Sequence, residues 1–170
     1  IINGVWYHCE MSNWALPNGL MATLAIYPRR PMPNPNDQVV DLTSSDMGSF
    51  LAWTYYFLKE SMDKVHPAIS GNLRNNLQRR ILDPYMQRSN FWWQALDHKP
   101  ANVNNWNPWC NSNVLICFLL LENDPQKLVK AVARTMKSVD QYINYNHDDG
   151  GCEEGPAYWS HGPGKLYDYL

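Results

Sequence analysis

No run of basic residues occurs in this 170-residue chain, which carries 14 Lys and Arg against 16 Asp and Glu. A nucleic-acid partner needs a Lys/Arg stripe to displace counterions, so this balance argues against one. With a net charge of −2, an acidic polymer would have to be recognised by locally placed cations and amides. Long hydrophobic runs are also missing. The longest, Val114 to Leu121, falls far short of the ~20 residues that cross a bilayer, and no secretory signal pattern is present. Cysteine is sparse: Cys9, Cys110, Cys117 and Cys152 have neither Cys-x-x-Cys nor zinc-ligand spacing, so no metal site or cofactor is expected and a disulfide is unsupported. Cys110 and Cys117 lie in an apolar stretch and read as buried thiols. Low-complexity segments and alignable repeats are absent, and no period-two pattern marks a strand.

Aromatics and asparagines fill the composition instead, with eight Trp and ten Tyr in so short a chain. Each such ring offers a flat apolar face and a polar handle. That combination suits sugars, whose C–H faces stack on rings while their hydroxyls need amide and carboxyl partners. The plainer role, for most of these rings, is core packing.

The helical pattern is legible along most of the chain. Residues 1–45 read as irregular, and Pro28 to Asp37 as an extended loop, because proline removes donors and disfavours helix at the residue before it. Asp46 is placed as the N-cap of a helix to about Met62, with Met47, Phe50, Leu51, Tyr55 and Leu58 on one face. The next helix opens at His66-Pro67 and carries Ile69, Leu73, Leu77 and Ile81 until Asp83-Pro84 breaks it. A shorter helix is expected from Pro84 to about Leu96. Residues 109–122, apolar almost all round, read as a buried helix. Asp124-Pro125 opens another, with a stripe of Leu128, Val129, Val132, Met136, Val139 and Ile143. Short loops between such helices predict an all-α domain of antiparallel hairpins. The chain starts at Ile1 and ends in what reads as a helix cut short, so a fragment of a larger protein is expected.

Two loops concentrate polar residues beside aromatics. Between Asn102 and Asn111 stand five asparagines in ten residues, more than one helix start can use as caps, and a buried amide needs partners. From Asp148 to Gly162, glycines that permit tight turns accompany Glu153, Glu154, Tyr158 and His161, all types that carry acid/base work. The plainer readings are helix caps for the first loop, and an acidic solvated turn with a packed Tyr-Trp pair for the second.

Together the loops resemble the helical domain of the heparinase II/III-like polysaccharide lyases. The carrying segments are Asn104-Asn105-Trp106-Asn107 with Asn111, then Asp149-Gly150-Gly151, Glu154-Gly155-Pro156, Tyr158-Trp159 and His161-Gly162. A third is Cys9 to Pro17, followed by Val40-Asp41-Leu42 and Met47-Gly48. They occur in family order over nearly the whole chain. The resemblance implies an incomplete (α/α) toroid, with residues 1–170 forming part of one lyase domain. Further C-terminal helices and a β-sandwich domain lie outside this chain, as does any divalent metal. It also implies a periplasmic or secreted enzyme that cleaves uronate-containing polysaccharides, such as heparan sulfate or alginate, by β-elimination. This chain alone is expected to be inactive.

β-Elimination removes the C5 proton beside a charged carboxylate, so preorganised donors must neutralise that group. An unperturbed tyrosine titrates near ~10, so a tyrosine base needs surroundings that lower that value. Carried over by residue, the resemblance implies Tyr158 as base and acid, with Asn104 and Asn105 neutralising the carboxylate. Several members place a histidine in that loop where this chain has Asn-Asn-Trp, so either amides alone do the job or His147, His161 or the absent domain contributes. Glu153 and Glu154 are expected to orient Tyr158 or a sugar hydroxyl. Trp106, Trp109 and Trp159 are candidate stacking platforms, His161 a substrate contact, and Asn13 and Trp14 part of another cleft-lining segment. Two rivals remain open: a toroid glycoside hydrolase using Asp149 and Glu154 as acid and base, and a non-catalytic carbohydrate-binding domain.

Overall fold

The computed structural model describes residues 1–15, 34–97 and 103–170. All regular structure among them is helical: α1 (Ile2–Glu10), α2 (Leu42–Val65), α3 (Pro67–Leu77), α4 (Asp83–Gln87), α5 (Trp106–Leu121), α6 (Pro125–Tyr145) and α7 (Pro163–Tyr169). A π turn, Gln78–Leu82, joins α3 to α4, and short 3-10 turns lie at Trp92–Gln94 and Pro156–Tyr158. Helix α5 is central and packs against α2, α6 and α7, while α3 lies on α2 and α1 on α3. The single residue His66 links α2 to α3, and Glu122–Asp124 link α5 to α6, so each pair forms a helical hairpin. No described helix is long and apolar enough to cross a membrane.

Several boundaries differ from the sequence expectation. Residues 2–10, expected to be irregular, form a helix because Val5 and Cys9, four apart, are buried on one face. The N-cap of α2 is Asp41, not Asp46. Asp41 Oδ1 accepts from the Ser44 N–H at 2.8 Å while Ser44 Oγ accepts from the Asp41 N–H at 2.8 Å, a reciprocal capping box that satisfies two orphan donors. Asp46 is thereby one turn inside α2. Of the expected Pro28–Asp37 loop, residues 28–33 lie outside the described residues, and residues 34–37 form a turn closed by the Asp37 N–H on the Asn34 carbonyl.

Pro84 does not break the α3 helix where its missing donor and bulky ring would be expected to. A proline opposes the carbonyl four residues back, here that of Arg80, and the widened π turn makes room for it. The Asp83 N–H reaches the Gln78 carbonyl five residues back, and α4 continues to Gln87. The helix expected to run on to Leu96 stops there, with Arg88 extended, and only a single 3-10 turn follows.

Helix α5 starts three residues earlier than its apolar run and is not apolar all round. Asn107, Asn111, Ser112 and Asn113 are buried beside Cys110, Val114 and Cys117, while Leu119 is exposed. Both thiols are buried as expected, and desolvation pushes each well above its usual pKa. Helix α6 is capped by Asp124, whose carboxylate accepts from the Gln126 and Lys127 N–H groups. Its buried face is Ala131, Thr135, Ser138, Val139 and Tyr142. Val129, Met136 and Ile143 of the expected stripe are exposed. Small and hydroxylic residues replace them because they let α6 approach the amide side of α5.

The main core gathers α1 to α6 around Leu51, Leu73, Leu77, Ile81, Tyr85, Trp93 and Val114. Gly48 lets α2 close on it, since a Cβ there would stand 2.8 Å from Ile81 Cγ1. A smaller apolar cluster of Ala95, Val103 and Tyr142, with Tyr145 and Leu166, backs the loop after α6.

Candidate functional site

The asparagine-rich and glutamate-rich loops meet at the N-terminal end of α5. Asn105 donates its backbone N–H to Glu154 Oε2 at 2.7 Å and its amide Nδ2 to Glu154 Oε1 at 2.6 Å. Both oxygens of one carboxylate are thus engaged by one residue, which ties the loop before α5 to the loop after α6. Gly155 follows in the left-handed region at φ 77°, a conformation costly for other residues. Its carbonyl accepts the Tyr158 N–H at 3.1 Å, closing the turn that lifts Tyr158 to the surface.

Tyr158 is 46% exposed. Its ring meets His161 edge-on with centroids 5.4 Å apart, and His161 stacks on Trp109 at 5.1 Å and 17°. Trp109 Nε1 donates to Asp46 Oδ1 at 2.7 Å, and Asn113 Nδ2 donates to the same oxygen at 2.7 Å. Lys165 completes the cluster, its Nζ 5.4 Å from the Trp109 ring centroid and 3.1 Å from Asp168 Oδ2. Four elements therefore converge here: α2 through Asp46, α5 through Trp109 and Asn113, the loop through Glu154 and Tyr158, and α7 through Lys165.

The asparagines have separate fates. Asn104 Oδ1 accepts the Trp106 N–H at 3.1 Å, at the start of α5, and among the described residues its amide nitrogen has no hydrogen-bond partner. Asn105 is buried and spent on Glu154, which makes it a poor donor to a sugar carboxylate, against the role expected for it. Asn107 Nδ2 donates to the carbonyls of Trp93 and Ser138, both at 2.9 Å. Asn111 donates to Ser138 Oγ at 2.9 Å and accepts from Tyr85 Oη at 2.7 Å. These two asparagines fasten α5 to α6 and to the 92–94 turn.

Other expected roles change as well. Glu154 faces Asn105 and not Tyr158. Glu153 accepts from Tyr145 Oη at 2.9 Å and lies 3.8 Å from His147 Nε2; that hydrogen bond, the largest cause, raises the Tyr145 phenol above its usual pKa. Trp109 is organised by His161 and Lys165, and Trp106 is half-buried against Trp92 at 5.2 Å. Trp159, 56% exposed, is left as the open ring. Trp14 is a core residue: it is 3% exposed, its Nε1 donates to the His8 carbonyl at 2.8 Å, and the Arg80 guanidinium lies 5.0 Å from its ring. The Asn13 amide closes on Ala15 in the same segment. Neither reaches a sugar through the geometry expected of it.

Sequence reasoning missed Asp46 as a site residue because it read that side chain as a cap. Lys165 was missed because its segment was read only as a helix cut short. Among the described residues no group of His, Cys, Asp and Glu could hold a metal ion. Set against protein-family models and against curated proteins, the chain matches none.

Proposed function

We propose that the chain is the catalytic helical part of a polysaccharide lyase resembling the heparinase II/III-like enzymes, with an incomplete (α/α) toroid that cleaves a uronate polymer outside the cytoplasm. The observation that carries this reading is the joining of the two loops by the Asn105–Glu154 pair, which ties the segment that holds Asn104 to the one that holds the exposed Tyr158. A lyase needs a proton acceptor and a carboxylate-neutralising donor on one sugar.

In this reading Asn104 donates to the uronate carboxylate and stabilises the charge that develops on it. Tyr158, as its phenolate, takes the C5 proton. The electrons of the C5–H bond form the C4–C5 double bond as the C4–O bond breaks, and the tyrosine proton passes to the leaving oxygen. His161, edge-on to Tyr158, fixes the ring and supplies polarity beside it. Trp159 offers its face to a neighbouring sugar. Asn105 and Glu154 act as positioning residues.

The hydrolase reading loses support from the same geometry. Glu154 would be one of its two carboxylates, yet both its oxygens accept from Asn105. Asp149 accepts from the Gly151 N–H within its own turn at 2.8 Å.

The test is Tyr158→Phe in the full-length protein, assayed on heparan sulfate, chondroitin, alginate and hyaluronan by the ultraviolet absorbance of the unsaturated product. Turnover is expected to vanish while oligosaccharide affinity stays within a few fold, because the hydroxyl acts in the transition state. Near wild-type turnover by that variant would falsify the assignment. Binding without unsaturated product from the wild type would favour a carbohydrate-binding domain.

A further inference from the structure

We propose that Lys165 reads the negative charge of the substrate, its ammonium binding a carboxylate or sulfate on the sugar seated beside Tyr158. The inference rests on the lyase reading and names the cation that reading lacks. A chain with net charge −2 that acts on a polyanion must supply positive charge locally. At this site the described contacts bring in one Lys or Arg side chain, Lys165, over Trp109. The other cations with described partners work elsewhere. Arg80 is buried against Asn76 and the α1 carbonyls, Arg88 pairs with Asp37, Arg134 donates to the Tyr85 and Arg88 carbonyls, and Lys59 pairs with Asp63.

Two acids of the site, Asp46 and Glu154, are held by neutral donors and not by Lys165 in the described contacts. Asp46 Oδ1 accepts two donors and Glu154 accepts two more, so each carboxylate is committed to holding the loops together. Asp168 is the partner of Lys165, three residues along α7, with a side chain 54% exposed. A pair this open is weak in water and readily shared with an incoming anion. The lysine side chain is itself 27% exposed, and its ammonium, 5.4 Å from the Trp109 ring centroid, has three donors to divide between Asp168 and an anion. Trp109 thus holds the cation at a fixed height beside His161 and Tyr158, which limits the side-chain entropy lost on binding.

The experiment measures the affinity of the full-length protein for hexasaccharides of alginate and heparan sulfate. Each is also used in carboxyl-reduced form, and the heparan sulfate in desulfated form as well. Lys165→Gln is expected to weaken binding of the charged ligand by roughly ten- to a hundredfold, the value of one hydrogen bond to a charged group. It should leave the ligand lacking the recognised group unchanged, and Lys165→Arg should restore affinity to within a few fold. Whichever chemical treatment abolishes the effect of the substitution identifies the anion as carboxylate or sulfate. A purely structural lysine would weaken all ligands alike, and that result, an unchanged affinity, or no binding by the wild type overturns the proposal. Turnover is read separately on the wild type: affinity that does not distinguish charged from neutral ligands, with unsaturated product still formed, refutes this inference alone, whereas charge discrimination without any product refutes the lyase reading.

Discussion

Neighbouring asparagines of one type carry different burdens because their partners differ. Asn104 uses its carbonyl oxygen on the first residue of α5, and among the described residues its amide nitrogen has no hydrogen-bond partner, whereas Asn105 commits its amide to Glu154, 49 residues away. Asn104→Asp preserves an acceptor for the Trp106 N–H but replaces the amide donor with a negative charge. Its unfolding free energy, measured in urea, should stay within about 0.5 kcal/mol of wild type, while turnover falls at least ~100-fold through loss of carboxylate stabilisation. Asn105→Ala should do the reverse first, lowering stability by about 1–3 kcal/mol as one Glu154 oxygen loses its donor. Equal stability losses in the two variants would contradict this division of roles. The crowding of asparagine was visible in the sequence; which of them pair across the fold was not, because the decisive partners, Glu154, Ser138 and Tyr85, come from other elements. Trp14 shows the same limit, since nothing local distinguishes a ring for sugars from one that shields Arg80.

Helices whose caps and apolar spacing lie within a few residues were readable, as at His66-Pro67 and Asp124-Pro125. Those whose signals depend on packing were not: α1 is short and contains Gly4, and α5 buries amides in its first turns. The start of α7 depends on a steric fit of the same kind. A Cβ on Gly162 would stand 2.5 Å from Tyr142 Oη, and that phenol is buried, with desolvation raising its pKa above the usual value. Gly162→Ala should therefore cost about 1–3 kcal/mol through overpacking and disturb Tyr158, whose carbonyl accepts the Gly162 N–H at 2.8 Å. Removing the offending oxygen in Gly162→Ala/Tyr142→Phe should recover most of that loss. Thermal unfolding of the single and double variants checks this, and no recovery in the double variant would place the cause elsewhere.

Across the whole molecule the all-helical class followed from periodicity, whereas the meeting of the two loops depends on the Asn105–Glu154 contact between distant segments. Exposed apolar surface was not foreseen. Phe50, Trp53, Tyr56 and Phe57 on α2, and Val129, Met136 and Ile143 on α6, are open to solvent, with Trp53 and Phe57 stacked at 5.5 Å. Patches of this kind promote association in water. The 170-residue chain is therefore expected to self-associate as its concentration rises in sedimentation experiments, and Trp53→Ser/Phe57→Ser to reduce this; a monomer at every concentration would contradict it. The π turn at Gln78–Leu82 sets a different kind of constraint. Remove one residue from it, and the widened turn would tighten to ordinary winding, bringing the carbonyl four residues back against the Pro84 ring. Among descendants of this sequence a gap at this seam should therefore be found only together with loss of that proline.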